Sequence, residues 1–263
     1  MPPFTPYWRS RFLPVAWQKL LQAIEYRPLR SWFYFILQYQ AWAEAGGWGP
    51  FGTYFEFGTG EGFSMSQYAD ALRAFCRDTR TPMNRFRIVG FDSFQGLPPT
   101  SERKDAHAGL ASGQFSGSMD QIHAILRQKR ISTHGCDVRL VPGWFQESLT
   151  PQLRQSLSPY PPSLVTIDVD YYSPTAVILE WLRPLLASGT ILHFDDLWLY
   201  HAHPDYGERA AIREFNARGE GGLEPFPLFA SPAIAGHAYI YHRPEFEWKP
   251  GSSSRSAPDS LHR

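Results

Sequence analysis

From Thr53 onward, apolar runs of strand length alternate with segments whose apolar residues recur every three or four positions. The strand-like runs are 53–57, 87–91, 137–141, 164–167, 190–194 and 238–242, and the helical patterns are 64–76, 118–129, 174–186 and 208–218. A chain written this way can bury its strands only by laying them side by side and covering both faces with helices. The expectation is an α/β, Rossmann-like, doubly wound, mostly parallel sheet with right-handed crossovers. In such a sheet the ligand lies beyond the carboxyl ends of the strands, near the switch point of strand order. The residues that follow each strand are therefore the ones to read for chemistry.

The first strand runs into Glu56-Phe-Gly58-Thr59-Gly60-Glu-Gly62, with glycines at every second position before a helical pattern. Strand, glycine turn and helix bring backbone N–H groups close to a ligand with no Cβ in the way. A tight connection can need glycine for packing alone, so the turn by itself decides little. After the second strand comes Asp92-Ser93-Phe-Gln-Gly-Leu-Pro-Pro99, an acid where a ribose diol is commonly gripped, or a turn-forming aspartate. The long segment 100–117 has the length of a lid or binding loop. Trp144 and Phe145 follow the third strand and could flank a purine or belong to the core, while 151–163 reads as a proline- and serine-rich connection.

Two further strands end in acid pairs, Asp168-Val-Asp170 and Asp195-Asp196. Neighbouring strand ends lie together, so four carboxylates meet on one rim and repel unless a cation, a cationic ligand or arginines compensate them. Oxygen ligands alone select a hard cation, Mg²⁺ or else Ca²⁺ or Mn²⁺, over zinc. His193 sits inside its strand as a core histidine, and His201 and His203 read as solvated loop residues. Gly-x-Ser-x-Gly is absent, which gives triad hydrolysis no support.

The chain has 263 residues and equal numbers of basic and acidic side chains, 25 each, so whole-chain attraction to nucleic acid has no support. Cys76 and Cys136 lie far apart with no CxxC, which suits a reducing, cytoplasmic compartment. The division expected is a helical segment 1–50, a catalytic domain 51–248 and a disordered tail 249–263. Residues 1–50 are rich in aromatics and read as two helices broken near Arg27-Pro28. Their most apolar part, Trp32 to Ala45, is too short and too interrupted by glutamines and Glu44 to form a transmembrane segment. They could pack on their own domain, form a lid or a homodimer contact, or rest peripherally on a membrane surface.

Residues 56–62 match the first motif of class I S-adenosylmethionine-dependent methyltransferases. More narrowly, Gly90-Phe-Asp-Ser-Phe-Gln-Gly-Leu-Pro98, Asp168-Val-Asp170 with Tyr172, Asp195-Asp196, Gly143-x-Phe145 and 208–215 resemble the macrocin O-methyltransferase (TylF-like) family. The resemblance covers residues 53–216 in order. It departs at Leu197, where the family often has an aromatic. It implies S-adenosylmethionine and Mg²⁺ as cofactors and a small-molecule hydroxyl acceptor, a sugar or natural-product diol. It further implies cofactor contacts from Glu56, Gly58, Thr59, Gly60, Asp92 and Ser93, metal ligands Asp168, Asp195 and Asp196, and catalytic roles for Asp170 as general base and Asp168. The rival readings are a nicotinamide-dependent oxidoreductase, whose third glycine would come one residue later, and a non-catalytic scaffold of the same fold.

Overall fold

In a computed structural model of the chain the described residues are 15–226 and 237–244, with side chains described from residue 29. The element order is α1 Val15–Ala45, β1 Thr53–Phe57, α2 Phe63–Thr79, β2 Arg87–Asp92, α3 Met119–Gln128, β3 Asp137–Pro142, α4 Phe145–Ser148, α5 Pro151–Leu157, β4 Leu164–Ile167, α6 Tyr172–Leu182, β5 Ile191–Phe194, α7 Gly207–Ala217, β6 Gly222–Pro225 and β7 His237–His242. The strands form one seven-stranded sheet in the order β3-β2-β1-β4-β5-β7-β6. β1 to β5 pair in parallel; β7 lies antiparallel to β5, and β6 antiparallel to β7. Strand order reverses between β1 and β4, which places the switch point at Gly58 and Asp168.

Helices cover both faces, as the alternation predicts. On one face α1, α2 and α3 pack around Phe33, Ile36, Tyr54, Tyr68, Leu72 and Ile122. On the other, α5, α6 and α7 pack around Phe55, Phe91, Val165, Ile178, Leu192 and Phe215. β1, β4 and β5 are buried along their whole length, the usual state of a parallel strand covered twice.

Four expectations need correction. α1 is a single helix of 31 residues, with no break near Arg27-Pro28. A proline in a helix interior costs about 3 kcal/mol. Trp32, Phe33, Ile36 and Leu37 are buried in the next turns, and each such burial stabilises by roughly 1.5–3 kcal/mol, so packing outweighs the proline. Residues 151–163 are not merely a connection: α5 occupies Pro151–Leu157, with Pro151 in its first turn and Thr150 Oγ1 accepting the Leu153 N–H at 3.1 Å. The helix expected over 174–186 starts earlier, at Tyr172, and tightens at Arg183–Leu185 into a 3-10 turn. The irregular link expected over 219–235 contains β6, which pairs along β7, and residues 227–236 lie outside the described residues. So do residues 1–14 and the tail expected over 249–263.

No helix among the described residues is long and apolar enough to cross a membrane. Both cysteines are free, Cys76 half-buried and Cys136 buried.

Candidate active site

The register brings the strand ends level. Phe57 pairs with Phe91 on one side and Ile167 on the other, and Ile167 pairs with Phe194. One residue further on, Gly58, Asp92, Asp168 and Asp195 therefore share a rim. Hydrogen bonds continue the ladder there: Asp168 N–H donates to Phe57 O at 3.0 Å and Asp195 N–H to Ile167 O at 3.1 Å.

The β1–β2 half of the rim is built around glycine and satisfied acids. Gly58 has φ 81°, and a Cβ there would lie 1.8 Å from Asp168 O, so no other residue fits between the two strand ends. Gly60 has φ 47°, yet a Cβ on it would meet nothing within 4 Å. The space over Gly60 is open. Asp92 Oδ2 accepts the Gly60 N–H (2.8 Å) and the Thr59 hydroxyl (3.4 Å), while Oδ1 accepts the Phe94 N–H (2.6 Å). Glu56 is fully buried, with Oε2 accepting from Tyr54 Oη at 2.7 Å and Oε1 from Ser64 Oγ at 2.5 Å. Burial pushes its carboxyl up to about 7, against the two hydroxyl donors that hold it down, with the Asp92 charge adding to the rise. Ser93 Oγ is occupied in the turn, donating to Gly96 O and accepting from the Gln95 N–H.

The β4–β5 half is different. Asp168, Asp195 and Asp196 each place one carboxylate oxygen within 4.8 Å of the others. Asp170 stands beside them with φ 61°, a left-handed backbone that costs a non-glycine residue of order 1 kcal/mol and occurs often at functional sites. Its N–H donates to Asp196 Oδ2 at 3.1 Å. A fifth acid completes the group. Glu208, in the first turn of α7 and 1% exposed, accepts the Asp196 N–H on Oε2 at 3.0 Å, while its Oε1 has no hydrogen-bond partner among the described residues.

None of these five carboxylates forms a salt bridge among the described residues. Burial, and after it the neighbouring acids, pushes Asp168, Asp196 and Glu208 well above the usual carboxylate range. Asp170 rises to about 6 through burial and then the Asp195 charge. Asp195 rises through burial too, with His193 opposing. His193 acts on Asp195, and the group as a whole is short of positive charge among the described residues. A hard cation with oxygen ligands at about 2.1 Å sets neighbouring ligand oxygens roughly 3 Å apart and opposite ones roughly 4.2 Å apart, so Asp168, Asp195 and Asp196, within 4.8 Å of one another, would draw together around one. The donor set suits Mg²⁺ better than zinc.

The mouth of the site comes from the long loop. Leu97 N–H donates to Gln114 O and Gly113 N–H to Leu97 O, so residues 97–114 close on themselves. Asp105, buried inside this loop, accepts from Thr100 Oγ1 (2.9 Å), the Ser173 N–H (3.0 Å) and the Ser173 hydroxyl, which ties the loop to the start of α6. Tyr200 Oη donates to Asp105 O at 3.0 Å, and the Tyr200 ring stands close enough to Gly207 that a Cβ there would meet it at 2.6 Å. At the other end Gly117 crosses the Gly60 carbonyl, where a Cβ would come within 1.8 Å. The loop thus borders both halves of the rim.

Most residues named from sequence gather here: Glu56, Gly58, Thr59, Gly60 and Asp92 on one half, and Asp168, Asp170, Asp195 and Asp196 on the other. Ser93 is tied into the adjoining turn. Phe145 packs on the core near Phe57, at 6.0 Å between rings. His193 is buried against Trp32, and His201 and His203 are exposed. Glu208, Asp105 and Tyr200 were not picked out as site residues. In the sequence Glu208 is marked only as an acid in a helix first turn soon after the Asp pair and as the first residue of the family-like stretch 208–215.

No curated protein sequence matches the chain. Among solved structures, CalS11, described as a calicheamicin methyltransferase, is 24% identical, with 86% of this chain and 78% of that one covered and a TM-score of 0.57. The O-methyltransferase NovP is 21% identical, covering 80% of this chain and 78% of that one, with a TM-score of 0.53. At these identities the likeness establishes a shared fold. A family model described as a methyltransferase domain matches residues 55–197, more than half of the chain and the whole of the rim from Glu56 to Asp196. The chain belongs to that methyltransferase family.

Proposed function

We propose that the chain is an S-adenosylmethionine- and Mg²⁺-dependent O-methyltransferase acting on a small molecule with two adjacent hydroxyls, a sugar or natural-product diol. The observation that carries this reading is the cation-starved acid group of β4 and β5 standing one strand away from an open glycine turn. The macrocin O-methyltransferase-like motifs at 90–98, 168–170 and 195–196 support the finer assignment. The likeness to CalS11, a calicheamicin methyltransferase, and to NovP, an O-methyltransferase, supports methyl transfer, and the latter supports an oxygen acceptor.

When bound, S-adenosylmethionine supplies a methyl group activated by its positive sulfur, and Mg²⁺ makes a hydroxyl in its reach more acidic. The chain's own share is alignment and proton removal. Gly60 leaves room for the donor, Gly58 lets the β1 turn pass the Asp168 carbonyl, and Thr59, Glu56 and Ser93 lie along that cradle, while Asp92 fixes the turn through Gly60 N–H and keeps lone pairs for ribose hydroxyls. Asp168, Asp195 and Asp196 hold the cation. Asp170, held beside the three ligands by its N–H bond to Asp196, takes the acceptor proton. The closed loop 97–114 with Tyr200 shields the acceptor from water.

The test is calorimetry of the full chain with S-adenosylhomocysteine and, separately, with NAD, followed by an acceptor screen with Mg²⁺. Binding of the first and not the second, with methyl transfer to a diol, is the expected outcome. Binding of NAD alone, or transfer undiminished in EDTA, contradicts it.

A further inference from the structure

Glu208 is costly to the fold. A glutamate 1% exposed, with one oxygen lacking a partner among the described residues, is a liability that an apolar side chain would avoid. It does not serve as a helix cap either. α7 has Tyr206 at its N-cap with no side-chain cap bond, and Glu208 reaches back across its own chain to the Asp196 N–H instead. From there the contacts run on: Asp196 N–H donates to Glu208, and Asp170 N–H donates to Asp196. Two carboxylates and two backbone N–H groups thus link the first turn of α7 to the left-handed residue Asp170.

We propose that Glu208 is a positioning residue of the cation site, one oxygen fixing the Asp196 backbone and the other completing the negative charge that faces the ion. This rests on the reading of Asp168, Asp195 and Asp196 as cation ligands. A side chain that served only as a peg for the Asp196 N–H could be glutamine, whose amide oxygen accepts the same bond. What glutamine cannot supply is the second, anionic oxygen. An outer partner of this kind adds affinity by fixing a ligand's direction and by its own charge, and losing one typically weakens metal binding 10- to 100-fold.

The experiment titrates Mn²⁺, a spin-active substitute for Mg²⁺, into the full chain and reads free Mn²⁺ by electron paramagnetic resonance. Glu208→Gln is expected to weaken binding about 10- to 100-fold, with S-adenosylhomocysteine affinity within about twofold and the metal-free melting temperature no lower than wild type. Glu208→Asp keeps the charge but shortens the reach to Asp196, and should bind between the two. Mn²⁺ bound by Glu208→Gln as tightly as by wild type would make Glu208 a peg and overturn the proposal. If the glutamine chain does not fold, Glu208→Asp carries the test, and wild-type affinity there overturns the positioning role. A wild-type chain that binds no Mn²⁺ removes the cation reading itself, which distinguishes that failure from this one.

Discussion

The two halves of the rim are built from the same residue types and differ in how those residues are satisfied. On the β1–β2 half, Asp92 has three donors and Glu56 two, so both acids are finished by the fold. On the β4–β5 half, Asp196 has one donor, the Asp170 N–H, and Glu208 one, the Asp196 N–H, while further carboxylates press in around them. A finished acid organises backbone; an unfinished one awaits a ligand. The glycine half is therefore a cradle shaped before anything binds, and the acid half is a site whose cost a divalent ion would offset.

Four experiments press on that contrast. The largest effect belongs to the unfinished half: Asp168→Asn or Asp195→Asn should cut methyl transfer by at least ~10³-fold, in line with losses of around 4 kcal/mol when a key electrostatic group is removed. S-adenosylhomocysteine affinity, measured calorimetrically, should stay within about threefold, because the cradle is untouched. Next come the two glycines. Gly58→Ala places a methyl 1.8 Å from Asp168 O and should destabilise by about 3 kcal/mol or more in urea melts. Gly60→Ala meets no atom and should cost only about 1 kcal/mol of stability, while blocking donor binding.

The third experiment is a pH series on Glu56→Gln. The Glu56 carboxyl is raised in the fold from its ordinary 4.5 to about 7, so the folded chain holds a proton that the unfolded chain releases. The Glu56 contribution to stability should then be full below pH 4.5, fall as pH rises to 7 and level off above, and it is read as the difference between wild type and the glutamine variant. The glutamine variant should gain up to ~3 kcal/mol on wild type at pH 8 and lose that advantage near pH 4, read from melts of the ligand-free chain. The smallest effect is Asp92→Ala, which strands the Gly60 and Phe94 N–H groups and should cost about 1–3 kcal/mol with no dependence on Mg²⁺. An Mg²⁺-dependent loss there would blur the distinction between the halves.

What could be read from the sequence follows from where each signal is carried. Apolar runs ending in Gly58, Asp92, Asp168 and Asp195 mark strand ends directly, because a parallel sheet aligns them. Glu208 was harder to see, since an acid in a helix first turn ordinarily serves the helix dipole, and only the path from β5 to α7 turns it toward Asp196. The closure of 97–114 is made by backbone bonds between Leu97, Gly113 and Gln114, which leave no trace in side-chain pattern. Asp105 looks like one more polar loop residue until Ser173 is placed beside it. Pro28 and Pro151 mislead in opposite ways. The first sits inside a helix that packing preserves, and the second starts a helix, with Thr150 before it as cap.

The central claim is that a divalent ion at Asp168, Asp195 and Asp196 is needed for transfer. The most direct measurement is the rate of methyl transfer from labelled S-adenosylmethionine to an acceptor found by the screen, followed as Mg²⁺ is added back to an EDTA-treated chain. The rate should be near zero without the ion, recover saturably in the wild type and not recover in Asp168→Asn. A full rate in EDTA, or equal recovery in the variant, would contradict it.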